Sequence, residues 1–146
     1  MVIQSTAFWR KVLILALAGG LAFWLANLAI SRTAIAAEYR AALSISYVPM
    51  LVGALLGGWV VGFCVSYCLV RFNDRMPTSS PMQSSLLLSL IALVVFTTLN
   101  EIPGRLLTTA SYAWRYTFIG AGFNVVRFSA LGIVIGYLVD KVGGGA

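Results

Sequence analysis

Four polar residues could do chemistry in otherwise apolar surroundings: Asn100, Glu101, Asn124 and Arg127. Arg127 lies about ten residues into an apolar stretch, which places its Cα about 15 Å along a helix that rises 1.5 Å per residue. A charge at the centre of a bilayer costs from about 2.5 kcal/mol on insertion scales to more than about 10 kcal/mol in simulations. We therefore expect Arg127 to have a compensating partner. Buried charges of this kind often mark the pathway of an ion or a solute.

Glu101 is the best candidate for that partner. If the third and fourth apolar stretches form an antiparallel helix hairpin, Glu101 lies in the same half of the membrane as Arg127. The amides of Asn100 and Asn124 would complete the hydrogen bonds of the pair. The sequence thus predicts a polar intramembrane cluster of these four residues, which either lines a functional cavity or has a purely structural role.

A different arrangement of the same charges is open. Glu101 and Arg105 stand four positions apart with the acid first, which favours an ion pair at the membrane interface. Arg127 would then extend its head group toward the interface, or stack on Phe123 one turn earlier. In that case the membrane interior would contain no ion pair.

The residues that are missing narrow the range of enzymes. The chain has no histidine and only four acidic residues, so it offers no imidazole for haem, zinc or general-base catalysis. Cys64 and Cys68 are one turn apart on one predicted helix and poorly placed for a disulfide. We expect no cofactor and no metal site. A non-catalytic protein is favoured, and any catalysis would rest on Glu101, Arg127 and a tyrosine or serine.

Composition places the chain in a membrane. Hydrophobic residues make up 60% and charged residues 10%, whereas about 25% of a soluble domain is charged. The net charge of +6 comes from basic residues that stand singly or in pairs near the ends of apolar stretches, not in a cluster. This pattern indicates anchoring to lipid head groups and argues against nucleic acid as a partner.

The apolar stretches predict an all-α fold, a four-transmembrane-helix bundle in a single membrane-embedded domain of residues 1–146. The helices are expected at about residues 11–31, 47–70, 84–103 and 117–139, because roughly 20 residues cross a bilayer core of about 30 Å. The third helix reaches that length only by including Pro103, so we expect it to be kinked or broken there. Residues 33–46 could form a short amphipathic surface helix.

The sequence also bears on whether the first apolar stretch is retained and on which side of the membrane the termini lie. Arg10 and Lys11 precede the first stretch, and residues 34–36 resemble a signal-peptide cleavage site. We expect retention, because about 19 apolar residues exceed the 7 to 15 of a signal peptide. The end of the bundle that holds both termini carries five basic residues against four at the other end, a small excess that favours cytoplasmic termini.

Glycine spacing predicts close packing between helices. Small residues one turn apart let helix backbones approach in lipid, where no hydrophobic drive brings helices together. Packing within one chain is the favoured interpretation, and a dimerisation face is the alternative. The glycines concerned are Gly53, Gly57, Gly58, Gly62, Gly132 and Gly136. Asn27, seven residues after Gly20, is expected to make an interhelical hydrogen bond instead of contacting a ligand.

Three functions fit these patterns. The first is a transport or permeation module, expected as a homo-oligomer, with the polar cluster lining its cavity. The second is an accessory or assembly subunit that packs against partner membrane subunits. The third is a lipid-binding or lipid-modifying protein that uses Arg105, Arg115 or Arg127 on an anionic head group. Membrane lipids are expected as partners in each case.

Overall fold

The chain folds into helices that alternate in direction. A computed structural model describes the backbone of residues 2–106 and 113–143, and the side chains of residues 6–72, 74–100 and 114–142. The helices are α1 (Val2–Ser31), α2 (Ala34–Ala42), α3 (Tyr47–Phe72), α4 (Pro81–Leu106) and α5 (Ala113–Gly143), with a 3₁₀ turn at Asn73–Arg75 after α3. Within those ranges the structure contains no strand.

Four of these helices are long and apolar enough to cross a membrane: Thr6–Ser31, Tyr47–Phe72, Pro81–Asn100 and Trp114–Val142. The protein is thus a helical bundle with the spans of a multi-pass membrane protein, as the composition predicted. Helix α4 continues through Pro103 to Leu106. The kink at Pro103 and the cytoplasmic termini remain predictions.

The long helices pack as neighbours around a common core. Helix α1 makes extensive contact with α3 and α5, and α4 packs mainly on α5 and more sparsely on α3. Because successive spans run in opposite directions, one end of the bundle holds both termini and the α3–α4 loop. We call it the terminal end. The opposite end holds α2 and is called the α2 end.

The core between the helices is largely apolar. Phe128 lies near its centre, with its ring centroid 5.3 Å from that of Phe23 and 5.6 Å from that of Phe96. Aliphatic side chains from α1, α3 and α5 complete the core: Leu15, Val65, Leu69, Leu131, Ile135 and Val139. Large apolar side chains also cover much of the outer surface, as expected where the solvent is lipid.

Glycines bring α1 and α3 into backbone contact. A Cβ at Gly62 would lie 2.7 Å from the carbonyl oxygen of Ala16, and one at Gly58 would lie 2.9 Å from the carbonyl oxygen of Gly20. Such distances leave no room for a side chain. Close to this contact, Trp24 Nε1 donates a hydrogen bond of 3.1 Å to a backbone carbonyl of α3.

Helices α4 and α5 are joined in the same way. A Cβ at Gly136 would lie 2.9 Å from the Cα of Met82, and one at Gly132 would lie 2.6 Å from Ser89 Oγ. Ser85 Oγ donates a hydrogen bond of 2.8 Å to the carbonyl oxygen of Gly132. Small side chains and interhelical hydrogen bonds thus hold this pair together.

Gly53 and Gly57 differ from the other glycines of the predicted ridges. A Cβ at either position would meet no atom within 4 Å. Their expected role in packing helices together is therefore not fulfilled by any contact among the residues described here.

Candidate functional site

The short helix α2 folds back over the end of α1. Only two residues separate the two helices, and the second of them, Thr33, caps α2 by accepting a hydrogen bond of 3.2 Å from the backbone N–H of Ala36. Ala36 is buried against the bundle. The amphipathic segment predicted from the sequence is thus a helix that covers the α2 end.

Contacts with α5 hold α2 in this position. Glu38 Oε1 lies 2.8 Å from Arg115 Nη2, and the hydroxyl of Tyr116 donates a hydrogen bond of 3.4 Å to the same oxygen. Tyr39 packs edge-on against Phe123, with ring centroids 5.6 Å apart, and against Tyr116, with centroids 6.2 Å apart. The ion pair is exposed and contributes less than about 1 kcal/mol, so the partly buried ring contacts supply more of the attachment.

A cavity of about 160 Å³ lies beneath α2. An engineered protein cavity of about 150 Å³ holds one benzene molecule, so this space can accept a phosphate or carboxylate group. We call it the α2 cavity. Its lining combines apolar side chains with amide, hydroxyl and guanidinium groups: Asn27, Ile30, Ser31, Ala36, Tyr39, Arg40, Ile45, Met50, Phe123 and Arg127.

Asn27 contributes a buried donor to the cavity wall. Its side chain is 1% exposed, and its Nδ2 has no hydrogen-bond partner among the described residues. A buried polar group without a partner costs about 1 to 3 kcal/mol. The interhelical donation expected for this amide is therefore not seen in this part of the chain, and its buried N–H groups are left unpaired beside the cavity.

Arg40 places a positive charge at the cavity and is fixed by the end of α1. Its Nη1 donates a hydrogen bond of 3.1 Å to the carbonyl oxygen of Ser31, and its guanidinium carbon lies 5.1 Å from the centre of the Tyr47 ring. A cation at a helix C-terminus is favourable, because the unpaired carbonyls carry partial negative charge. Arg40 thereby offsets the negative end of α1 beside the cavity.

Arg127 reaches the cavity from α5. Helical side chains lean toward the N-terminus of their helix, and for α5 that direction is the α2 end. Arg127 Nη1 donates a hydrogen bond of 3.0 Å to Asn124 Oδ1, and its guanidinium carbon lies 6.0 Å from the centre of the Phe123 ring. Asn124 is buried and donates a hydrogen bond of 3.4 Å to Thr97 Oγ1 of α4.

The structure brings together part of the predicted polar cluster. Asn124 and Arg127 are hydrogen bonded, whereas Asn100 is exposed and donates a hydrogen bond of 2.9 Å to a carbonyl of its own helix. The side chains of Glu101 and Arg105 lie outside the described residues. The pair between Glu101 and Arg127 therefore stays a prediction, as does the alternative pair with Arg105.

Sequence reasoning missed Arg40 and Ser31 as site residues. Arg40 is 13 positions from Asn27 and belongs to a separate helix, so no spacing rule connects the two. One signal was present, because Thr33 is a good N-cap residue at the start of the predicted surface helix. In the structure the helix that begins there turns back over the end of α1, which brings Arg40 to the carbonyl of Ser31.

The charges around the α2 cavity favour an anion. Two guanidinium groups line it, and no carboxylate is found among the described lining residues. The nearby carboxylate of Glu38 is engaged by Arg115. No group of three potential metal-ligating His, Cys, Asp or Glu side chains occurs in the described part of the chain. The arrangement can hold a phosphate or carboxylate through N–H donors.

No family model matches this chain, and the comparisons with characterised proteins and with solved structures give no match either.

Proposed function

We propose that this is an integral membrane protein that binds the anionic head group of a membrane lipid in the α2 cavity. The observation that carries the proposal is the buried Nδ2 of Asn27, a hydrogen-bond donor without a described partner in a cavity lined by two arginines. An anion bound there would accept charge-assisted hydrogen bonds, which are stronger than bonds between neutral groups.

The surroundings of the cavity favour a lipid over a freely soluble anion. The cavity lies at the end of helices whose outer surfaces are apolar, where lipid head groups are found. Apolar side chains from four helices and the α2–α3 loop share its lining with the polar groups: Ile30, Ala36, Ile45, Met50 and Phe123. A ligand with a charged head and an apolar body suits both kinds of surface.

Lipid selectivity tests the proposal. In nanodiscs of defined composition, we expect phosphatidic acid to be retained around the protein in preference to phosphatidylcholine, as measured by native mass spectrometry. Arg127→Gln should lower this preference by about tenfold, because it removes one charge-assisted contact. The control is Arg32→Gln, which removes an exposed arginine at the same end that does not line the cavity.

Two results would contradict the proposal. The wild-type protein could retain both lipids equally. The Arg127→Gln and Arg32→Gln variants could also lose the same amount of phosphatidic acid, which would mean that only the general charge of the α2 end matters.

A transport module is the second candidate function. It is supported by the buried Asn124, which extends the polar surface from Arg127 toward Thr97 of α4. The aromatic core of Phe23, Phe96 and Phe128 is closed in this conformation, so permeation would require those rings to move. Anion flux into protein-containing liposomes that Asn124→Leu abolishes would support this function. Flux equal to that of protein-free liposomes would exclude it.

A further inference from the structure

We propose that an acyl chain of the bound lipid lies along the α3 face that carries Gly53 and Gly57, directly below the α2 cavity. This inference rests on the proposed function, and it specifies the ligand as an amphiphile whose chain is recognised as well as its head. The face is called the glycine groove and is defined by Met50, Gly53 and Gly57.

Helix geometry connects the groove to the cavity. Met50 lines the α2 cavity, and Gly53 and Gly57 follow it at three and seven positions along α3. Residues with this spacing lie on one side of a helix. The groove therefore begins at the cavity wall and runs about 10 Å toward the membrane centre at 1.5 Å per residue.

The two groove glycines are not explained by packing within the described chain. Gly58 and Gly62 on the same helix touch the backbone of α1, where an added Cβ would lie within 3 Å of a carbonyl oxygen. At Gly53 and Gly57 an added Cβ would meet nothing within 4 Å. The second pair therefore leaves open space beside the backbone of α3, on a helix that is long and apolar enough to cross a membrane.

An acyl chain fits the glycine groove for reasons of chemistry and position. Gly53 and Gly57 lack a side chain, so a flexible hydrocarbon can lie against the helix backbone. A glycine surface can also pack against another helix. A lipid is favoured here because the groove begins at a cavity that contains the buried amide of Asn27 and the cation of Arg40. A head group held there places its chain at Met50, where the groove starts.

Alkyl phosphates separate recognition of the chain from recognition of the head. We would measure the binding of dodecyl phosphate, hexyl phosphate and inorganic phosphate to the protein in nanodiscs by isothermal titration calorimetry. The wild-type protein should bind dodecyl phosphate at least about tenfold more tightly than inorganic phosphate, because the longer chain buries apolar surface.

Filling the groove should remove that advantage. Gly57→Leu is expected to lower the affinity for dodecyl phosphate by about tenfold. The affinity for inorganic phosphate should stay within about twofold of wild type. The matched control is Gly122→Leu, because Gly122 on α5, like Gly57, has no atom within 4 Å of an added Cβ. That substitution should change neither affinity by more than about twofold.

The outcomes separate the groove from the head-group site. Dodecyl phosphate binding that is unchanged in Gly57→Leu, or equal to that of inorganic phosphate in the wild type, would overturn the groove while leaving the head-group site in place. Loss of a second copy or of a partner subunit on Gly57→Leu, with dodecyl phosphate affinity unchanged, would assign the face to a helix contact instead. If no phosphate binds to the wild-type protein, both proposals fail.

Discussion

The bundle has a cavity at each end, and the two differ in burial and charge. The cavity at the terminal end has a volume of about 210 Å³ and is lined by Arg71, Phe72, Asp74 and Arg75. All four of these side chains are exposed. The α2 cavity is smaller, at about 160 Å³, but its wall includes the fully buried Asn27 and Ser31, which is 6% exposed. Volume alone therefore does not distinguish a binding site from a surface depression.

The covering element accounts for the difference. At the terminal end the chain passes from α3 into a 3₁₀ turn, which leaves both arginines in solvent beside the carboxylate of Asp74. At the α2 end a nine-residue helix folds over the bundle, where Asn27 and Ser31 are buried and Arg40 and Arg127 are partly buried. Electrostatic interactions gain strength as water is excluded, so the same residue type, arginine, is expected to bind an anion more tightly under α2.

The largest difference in lipid binding is expected between two single variants, each of which removes an arginine from one of the cavities. Arg40→Gln should weaken the binding of phosphatidic acid by at least about tenfold, because it deletes a half-buried charge that also neutralises the end of α1. Arg71→Gln, the matched change at the terminal end, should alter it by less than about twofold. Binding is measured by native mass spectrometry of protein in nanodiscs. Equal losses in the two variants would remove the distinction between the ends.

A smaller effect on lipid binding is expected when the attachment of α2 to α5 is weakened. Glu38→Gln breaks the exposed ion pair with Arg115 but keeps the ring contacts of Tyr39. Since an exposed pair contributes less than about 1 kcal/mol, bound lipid should dissociate measurably faster, by about two- to fivefold. Exchange of a fluorescent phosphatidic acid, followed by stopped flow, measures this rate. A dissociation rate identical to that of wild type would show that the ion pair does not hold α2 over the cavity.

More of the fold than of the site could be predicted from the sequence. Four long apolar stretches specify four spans because a bilayer requires a minimum length of apolar helix. Their observed bounds extend beyond the predicted ones because polar residues such as Gln4 and Gln83 continue the helices past the apolar stretches. Helix α2 was predicted as a short surface helix, but its contacts with α5 were not predicted.

The site residues come from three separate helices, which is why spacing found only some of them. Asn124 and Arg127 are three positions apart on α5, so their contact follows from helix geometry. Asn27, Arg40 and Arg127 meet only because α1, α2 and α5 converge. The same limit applies to the glycines, because a ridge on one helix does not reveal whether another helix or lipid lies against it.

Replacing Asn27 by leucine tests the proposed head-group site most directly. Asn27→Leu keeps a side chain of similar size and removes the donor that has no described partner. We expect the protein to become more stable by about 1 kcal/mol in thermal unfolding, because an unsatisfied buried group is lost. We also expect phosphatidic acid to bind about tenfold more weakly. The control Asn100→Leu changes an exposed amide on α4 and should leave binding within about twofold of wild type.

Unchanged phosphatidic acid binding in Asn27→Leu would contradict the proposed head-group site, since the buried amide could then not be part of it. The predicted result, a gain in stability together with a loss of binding, is the behaviour of a polar group that is kept for a ligand at the expense of the fold.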